Sequence, residues 1–285
     1  MTQPARRPSL PFEDFGGAGP LLHFAHANGY PPRAYTPLLT ALAERFHVLA
    51  MAARPLWPAS DSDLTPADLR NWTPLADDLE RFLTERSAAG IVGVGHSLGA
   101  VSTLEVARRQ PALFRALVLI DPVIFRQRYL WAWEVIKGLG LADRLHPLIP
   151  GALRRRRVFA SADEMYTRYR RVPVFSRLSA DSLRAYVDAL ARPRPDGQVE
   201  LAYPPEWEAA IYRHGPPNVW AALPALQLPL LVVSGADSDT FQPAVARRLQ
   251  QRLPQARLVS VPGTGHLVPL ENPAAVAQAV LDFLT

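Results

Sequence analysis

Short apolar runs that alternate with helix-like segments restrict the fold of this 285-residue chain more than any other feature of its sequence. Each run is bounded by turn or helix signals and reads as the kind of buried strand that parallel sheets contain. Neighbouring parallel strands need helical crossovers, so the pattern predicts an α/β fold with a mostly parallel sheet flanked by helices. The predicted strands are residues 21–25, 46–52, 91–95, 116–121, 228–235 and 256–263.

The alternation stops between residues 122 and 225, which hold amphipathic stretches broken by prolines. Four of the six tryptophans and six of the eight tyrosines lie there, so this segment is the aromatic-rich part of the chain. We interpret residues 1–121 and 226–285 as the α/β core, and residues 122–225, below called the insertion, as a helical cap. Long insertions of this kind usually cover a functional site.

The positive charge of the chain is concentrated in the insertion. It holds 16 basic and 10 acidic residues, whereas the remainder holds 15 and 16, and its densest point is the arginine run at 154–157. A solvated helix face explains such an excess, and the attraction of an anionic substrate is the alternative. Because the arginines follow no repeated motif, we expect no nucleic-acid partner.

Several kinds of site and location are disfavoured by the composition. There is no cysteine, which excludes disulfides and thiolate metal sites. No run of 18 apolar residues predicts a membrane span, and the first residues lack the apolar region of a signal peptide. We therefore expect a cytoplasmic protein without membrane contact, metal or organic cofactor, and the sequence gives no indication of its oligomeric state.

The strongest chemical signal is Gly-His-Ser-Leu-Gly at residues 95–99, between a predicted strand and a predicted helix. A sharp strand-to-helix turn strains the central residue and leaves no space for side chains two positions away, which explains both glycines. Ser97 would then stand above the carboxyl edge of the sheet as a nucleophile, at the positive end of a helix. The structural alternative is a serine that caps this helix.

A serine nucleophile needs a general base, and that base needs a carboxylate that orients it. His266 is the candidate base because it follows the last predicted strand in a loop, whereas His96 adjoins the serine and points elsewhere. Three carboxylates follow or end predicted strands at the same edge of the sheet. We favour Asp239, then Asp237, then Asp121 as the acid, and expect the others to fix turns.

An oxyanion site needs preorganised N–H donors. We expect the backbone N–H groups of Leu98, which follows the nucleophile, and of Asn28, in the loop after the first predicted strand. His26 and Tyr30 of the same loop are candidates for substrate contacts. Aromatic residues of the insertion could line an apolar acyl pocket, with packing of the insertion on the core as the alternative. They are Phe125, Tyr129, Trp131, Trp133, Tyr166 and Trp220.

Taken together, these segments resemble lidded α/β-hydrolases over nearly the whole chain. The loop H-A-N-G is similar to the oxyanion loop H-G-x-P of that superfamily, with Ala27 in place of the glycine and Gly29 in place of the proline. The acid loop resembles a G-x-x-S-D variant, which points at Asp239, and the histidine loop matches G-H-x-x-x-x-E-x-P. The matching segments are residues 23–32, 95–100, 204–212, 235–241 and 263–273.

The resemblance implies a hydrolase without a cofactor. Haloalkane dehalogenases and epoxide hydrolases of this superfamily carry aspartate at the nucleophile position, so Ser97 argues against both. We expect a serine hydrolase that cleaves carboxylic esters of small to medium apolar acyl groups, with a small-molecule ester as its partner. Alternatives are a lactonase, thioesterase or C–C bond hydrolase with the same residues, or a ligand-binding member of the fold without turnover.

Overall fold

A computed structural model describes residues 9–86, 89–220, 223 and 226–284 of the chain. A seven-stranded sheet lies at its centre, in the spatial order β1-β3-β2-β4-β5-β9-β10, with strands numbered along the chain. These strands are β1 (Phe12–Asp14), β2 (Leu21–Ala25), β3 (His47–Met51), β4 (Ile91–His96), β5 (Phe114–Ile120), β9 (Leu230–Gly235) and β10 (Arg257–Val261).

All strand pairs of this sheet are parallel except β1 with β3. Every residue of β4 is buried, and β5 is buried except at Arg115, because helices cover both faces of the sheet. That burial explains why the strands are continuous apolar runs without alternation. The predicted α/β fold, with a mostly parallel sheet flanked by helices, is confirmed.

In the described part of the core, six α-helices flank the sheet. The last of them has the expected N-terminal cap. Pro273 stands at its first position, and the Asn272 side chain accepts the Ala275 N–H at 3.1 Å. Pro74 lies in the first turn of another helix, where its missing N–H removes no intrahelical bond. The helices are α1 (Thr36–Ala43), α2 (Thr73–Glu85), α3 (Leu98–Arg109), α10 (Pro243–Arg252), α11 (Val268–Glu271) and α12 (Pro273–Leu284).

The insertion lies between β5 and β9 and is not purely helical. Three very short strands form a separate antiparallel sheet in the order β6-β8-β7: β6 (Val158–Phe159), β7 (Ala191–Pro193) and β8 (Val199–Leu201). Strands of two or three residues are too short to show a periodicity, so the sequence pattern does not predict them. The helices are α4 (Gln127–Gly138), α5 (Ala142–Leu145), α6 (Leu148–Leu153), α7 (Ala162–Arg170), α8 (Ala180–Leu190) and α9 (Pro205–His214).

The insertion and the α/β core share one continuous apolar core, to which both contribute buried side chains. Polar contacts join them as well: the Trp72 indole N–H donates to the Ile211 carbonyl at 2.9 Å. Arg177 of the insertion pairs with Asp237 of the core at 2.9 Å. Within the part of the chain that the structure describes, no helix combines the length and hydropathy needed to cross a bilayer.

Candidate active site

Ser97 lies on a strained turn between β4 and α3. Its backbone has φ +56° and ψ −115°, a conformation that residues other than glycine rarely adopt. A Cβ atom on Gly95 would stand 2.5 Å from the Gly99 carbonyl oxygen, and one on Gly99 would stand 2.1 Å from the Ala25 carbonyl oxygen. The two glycines are therefore required by backbone contacts on either side of the serine.

The Ser97 side chain does not cap α3, because its oxygen accepts no N–H from the first helical turn. The hydroxyl lies instead 3.0 Å from Nε2 of His266, which the loop between β10 and α11 carries to the same edge of the sheet. The capping alternative therefore does not describe this serine. The structure brings together the two residues that the sequence proposed as nucleophile and base.

Asp121 is the carboxylate that is hydrogen-bonded to the His266 imidazole. Its Oδ1 lies 2.7 Å from Nδ1 of His266, and the carboxylate also accepts the Gly235 N–H at 3.0 Å and the Ser238 hydroxyl at 2.7 Å. Asp121 is fully buried directly after β5, with φ +39°, a region that aspartate tolerates better than most residues. Three donors hold this carboxylate in one orientation toward the ring.

The preference for Asp239 is thereby corrected. Asp239 is exposed and accepts the hydroxyl of its neighbour Thr240 at 3.1 Å, while Asp237 forms its ion pair with Arg177. β5 is the sheet neighbour of β4, so Asp121 ends one strand away from Ser97, whereas the other two follow β9, which lies farther out. The G-x-x-S-D loop contributes Ser238, which supports the acid rather than supplying it.

The loop with Asn28 lies against the first turn of α3, since a Cβ atom on Gly99 would stand 2.7 Å from the His26 carbonyl oxygen. Both polar ends of the Asn28 side chain are engaged by the insertion: its N–H₂ donates to the Glu208 carbonyl at 3.0 Å and its oxygen accepts the Tyr203 hydroxyl at 2.9 Å. Leu98 is the first residue of α3, where an N–H has no intrahelical acceptor. Within the described residues, neither the Asn28 nor the Leu98 backbone N–H donates to another protein group.

The His26 side chain, a sequence candidate for substrate contact, is engaged by the protein on both of its ring nitrogens. It is buried, its Nε2 accepts the Ala53 N–H at 2.9 Å, and its Nδ1 donates to the Ala27 carbonyl at 2.8 Å. Burial lowers the pKa of His26 to about 4, so the ring stays neutral at pH 7. This histidine fixes the backbone of the loop, and the half-buried Tyr30 packs 5.0 Å from the ring of Tyr186 in α8.

The six aromatic candidates of the insertion are not gathered around one pocket. Tyr129 and Trp131 of α4 are 53% and 70% exposed, so the prediction that they line an enclosed acyl pocket is wrong. Trp133 donates its indole N–H to the Arg213 carbonyl at 3.0 Å, which holds α4 on α9.

Trp220 and Tyr166 have partners inside the insertion or on the core, whereas the Phe125 side chain is 37% exposed. The buried Trp220 donates to the Phe125 carbonyl at 2.7 Å and lies under the Arg248 guanidinium, 4.6 Å from its ring centre. The Tyr166 hydroxyl accepts from Arg170 at 3.1 Å. These contacts agree with the alternative interpretation of the aromatic residues, which is that they pack the insertion together and against the core.

Ion pairs occupy three of the four arginines in the run at 154–157. Arg155 contacts Glu208 at 2.6 Å and Arg156 contacts Glu164 at 2.6 Å, while Arg157 pairs with Glu206. These pairs lie within the insertion itself, so the run mostly ties its elements together. That favours the structural interpretation of the run over attraction of an anionic substrate.

Glu271 is a residue of the site that the sequence analysis quoted only as part of a motif. Its carboxylate accepts the Gly265 N–H at 2.6 Å, one residue before the base, and so ties the histidine loop to α11. Burial raises the pKa of this carboxyl group. In the described residues, His, Asp and Glu side chains form no group of three that could hold a metal ion.

Comparisons with known proteins agree with this geometry at the level of the fold. A sequence profile described as "Alpha/beta hydrolase family" matches residues 24–279. The 2-(acetamidomethylene)succinate hydrolase of Mesorhizobium japonicum is 27% identical over 94% of this chain and 89% of its own length. The polyketide synthase ThaQ of Burkholderia thailandensis is 28% identical over 94% of this chain, which spans 12% of that protein.

Solved structures support the same fold. A crystal structure of E-2-(acetamidomethylene)succinate hydrolase matches with a TM-score of 0.77 at 23% identity, covering 96% of this chain and 94% of that chain. The thioesterase domain from the curacin biosynthetic pathway matches with a TM-score of 0.72 at 20% identity over 93% of each chain. At these identities the structural matches establish the fold, and the profile match establishes the family.

Proposed function

The chain belongs to the α/β-hydrolase family, and from that premise we propose that it is a serine hydrolase that cleaves carboxylic esters through an acyl-enzyme. The observation that carries the proposal is the unbroken hydrogen-bonded series from the Ser97 hydroxyl through both nitrogens of His266 to Asp121. A hydroxyl, an imidazole and a buried carboxylate in this order are the parts that nucleophilic acyl transfer requires.

In the acylation step, Ser97 Oγ attacks the ester carbonyl carbon while Nε2 of His266 takes the hydroxyl proton. The imidazolium formed in this way is stabilised by Asp121, which keeps the Nδ1 proton on the far side of the ring. When the tetrahedral intermediate collapses, His266 gives the proton to the leaving alcohol. The products of this half-reaction are the free alcohol and an acyl group on Ser97.

The negative oxygen of the tetrahedral intermediate needs N–H donors that are already in place. We assign this role to the backbone N–H groups of Leu98 and Asn28. Both belong to the junction of the β2 loop with the first turn of α3, and the Asn28 side chain is held by Tyr203 and Glu208. Because those side-chain bonds fix the loop, the Asn28 N–H keeps its direction without cost at the moment of reaction.

In the deacylation step, a water molecule gives a proton to Nε2 of His266 and attacks the acyl carbonyl. The second tetrahedral intermediate then expels Ser97 Oγ, which takes the proton back from the ring. The carboxylic acid leaves and the resting site is restored. Deacylation thus uses the same base and the same two N–H donors as acylation.

The same residues would also hydrolyse a thioester, a lactone or a C–C bond beside a carbonyl group. Relatives named as a succinate-derivative hydrolase and as thioesterases favour retaining these alternatives. The alternatives differ from the ester only in the leaving group, and Ser97, His266 and Asp121 treat that group alike until it departs. A binding protein without turnover would not need the Ser97 strain, which costs about 1–3 kcal/mol.

The decisive experiment compares the wild-type protein with Ser97→Ala on a panel of p-nitrophenyl esters, acyl thioesters and lactones. We expect turnover by the wild type to be fastest on the esters and to fall by at least about 10⁴-fold in the variant. A fluorophosphonate probe should label the wild type on Ser97 and leave the variant unlabelled.

Thermal unfolding of the variant provides the control, since alanine keeps the Cβ atom and the backbone conformation of Ser97 and should leave the melting temperature close to that of the wild type. Equal ester hydrolysis by both purified proteins would refute the proposal. Faster wild-type turnover of the thioesters or lactones would move the assignment to that class while keeping Ser97 as the nucleophile.

A further inference from the structure

Two buried side chains that the proposed function leaves without a role join the loops of the site. Tyr35 ends the 3-10 turn before α1, and His96 is the last residue of β4, directly before Ser97. The Tyr35 hydroxyl oxygen accepts the Ala27 N–H at 3.2 Å and lies 2.8 Å from Nδ1 of His96. On the other side of the same ring, Nε2 lies 2.9 Å from the His266 carbonyl oxygen.

Four groups form this second hydrogen-bonded series, which runs from the Ala27 N–H through Tyr35 and His96 to the His266 carbonyl. The donors and acceptors at its two ends fix the direction of every bond in it. The Ala27 N–H can only donate and the His266 carbonyl can only accept, so the Tyr35 O–H must donate to Nδ1 and the His96 proton must stand on Nε2. Burial lowers the pKa of His96 well below its ordinary value, which keeps the ring neutral. One tautomer of His96 therefore satisfies the whole series.

The second series ends at the loop that carries Asn28 on one side of Ser97 and at the loop that carries His266 on the other. Ala27 directly precedes Asn28, to which we assigned an oxyanion donor, and His266 carries the base. The His96 ring also packs 5.1 Å from the His266 ring and 5.7 Å from the Tyr35 ring. We propose that Tyr35 and His96 are positioning residues that set the oxyanion loop and the base at a fixed separation across the Ser97 turn.

This inference rests on the proposed function, since only acyl transfer at Ser97 uses both ends at once. Loss of the Tyr35 hydroxyl would leave two buried groups, the Ala27 N–H and Nδ1 of His96, without a partner. The oxyanion loop then has to shift to regain a partner, and misplacement by a fraction of an ångström weakens transition-state stabilisation more than substrate binding.

The test is Tyr35→Phe, measured on the best ester of the panel. We expect kcat to fall by about tenfold with KM within about twofold, because the displaced donor acts on the tetrahedral oxygen. A trifluoromethyl ketone or boronic acid that mimics the tetrahedral state should bind more weakly by a similar factor. His96→Leu should show the same split, and His96→Gln, which retains an N–H donor, should recover part of kcat.

Tyr169→Phe is the matched control. Tyr169 is also buried, and its hydroxyl accepts from Arg155 at 2.9 Å within the insertion, away from the series. We expect a comparable change in melting temperature with unchanged kcat. A Tyr35→Phe enzyme whose kcat lies within twofold of the wild type would overturn the inference, provided that the wild type itself is active and labelled by the fluorophosphonate.

An independent measurement needs no variant. Long-range ¹⁵N NMR of histidine-labelled wild-type protein should show His96 as the neutral tautomer with its proton on Nε2 between about pH 5 and 9. A proton on Nδ1 would contradict the direction of the series and refute the inference. An inactive wild-type protein that fails to label would instead refute the proposed function.

Discussion

The carboxyl edge of β4 and β5 differs sharply from the outer surface of α4. At the edge, Ser97, Asp121 and His96 are buried and each polar side chain has its partner within 3.0 Å. Helix α4 has no buried residue, and its Trp131 faces solvent. Residue type alone therefore does not identify a candidate site: polar residues of the core edge form the hydrogen-bonded cluster around Ser97, whereas Trp131 and Tyr129 of the insertion are exposed.

The difference follows from how each region is constrained. The carboxyl ends of parallel strands lie at one edge of the sheet, so residues far apart in the chain can come into contact there. The insertion is attached at its two ends and by side-chain contacts, so the outward face of each helix depends on its packing. We frame three predictions to test this contrast, beginning with the largest expected effect.

Asp121→Asn should lower kcat by about 10³- to 10⁴-fold, because an amide cannot stabilise the His266 imidazolium and favours the wrong tautomer. The matched variant Asp239→Asn removes a carboxylate from an exposed loop of the same edge, and should leave kcat within twofold. Ester hydrolysis by the two purified variants gives the measurement. A severe loss in Asp239→Asn with an active Asp121→Asn would return the acid role to the β9 loop.

The buried histidines of the core should make the protein sensitive to acid. Burial lowers the pKa of His23 to about 3 and that of His26 to about 4, whereas both titrate near 6.5 in the unfolded chain. The unfolded state therefore binds more protons as the pH falls below 6.5, and folded-state stability decreases until the folded pKa is reached. From pH 7 to 5 the free energy of unfolding should fall by about 2 kcal/mol for each such histidine.

Urea unfolding at pH 7 and pH 5 measures this loss. His23→Gln should reduce the difference between the two pH values by about 2 kcal/mol, since the variant has no proton to gain on unfolding. His47→Gln is the control for the substitution itself, because its partly exposed ring lies beside Asp14 outside the buried core. Equal pH dependence in the His23 variant and the wild type would argue against a neutral buried ring.

The smallest effect concerns acyl-chain preference. Tyr30 is half-buried two residues after Asn28 and packs on Tyr186, so Tyr30→Ala opens space beside the oxyanion loop. We expect a shift of a few-fold in kcat/KM toward longer acyl esters in a chain-length series. Trp131→Ala, on the exposed face of α4, should leave the preference unchanged; a larger shift there would mean that α4 contacts the acyl group.

Local signals were sufficient for the fold and for two residues of the site. The apolar runs predicted the central parallel strands because burial on both faces requires continuous apolar sequence. Gly95 and Gly99 identified the turn because the contacts that exclude a Cβ atom arise from the turn itself. His266 was identified because it lies in a loop after the last strand, and the structure places it beside Ser97.

Features that depend on neighbours distant in the chain were not predicted. The three short strands of the insertion are defined by pairing rather than by pattern. The hydrogen-bond partners of His26 and His96 are Ala53, Tyr35 and the His266 backbone, all distant in the chain. A signal for His96 did exist, since a buried histidine at a strand end must find partners for two nitrogens. The identity of those partners could not be read from the sequence.

By itself, then, the sequence determined the class of fold and the strained serine turn, because each depends on spacing within a few residues, and it identified His266 as the candidate base from its place after the last strand. Only the tertiary structure distinguished the three candidate carboxylates. Asp121, Asp237 and Asp239 all stand at or just after strand ends and are equivalent in local sequence. The tertiary contacts bring the buried Asp121 carboxylate to 2.7 Å from Nδ1 of His266, with the Gly235 N–H and the Ser238 hydroxyl as further donors. Asp237 pairs instead with Arg177, and Asp239 is exposed.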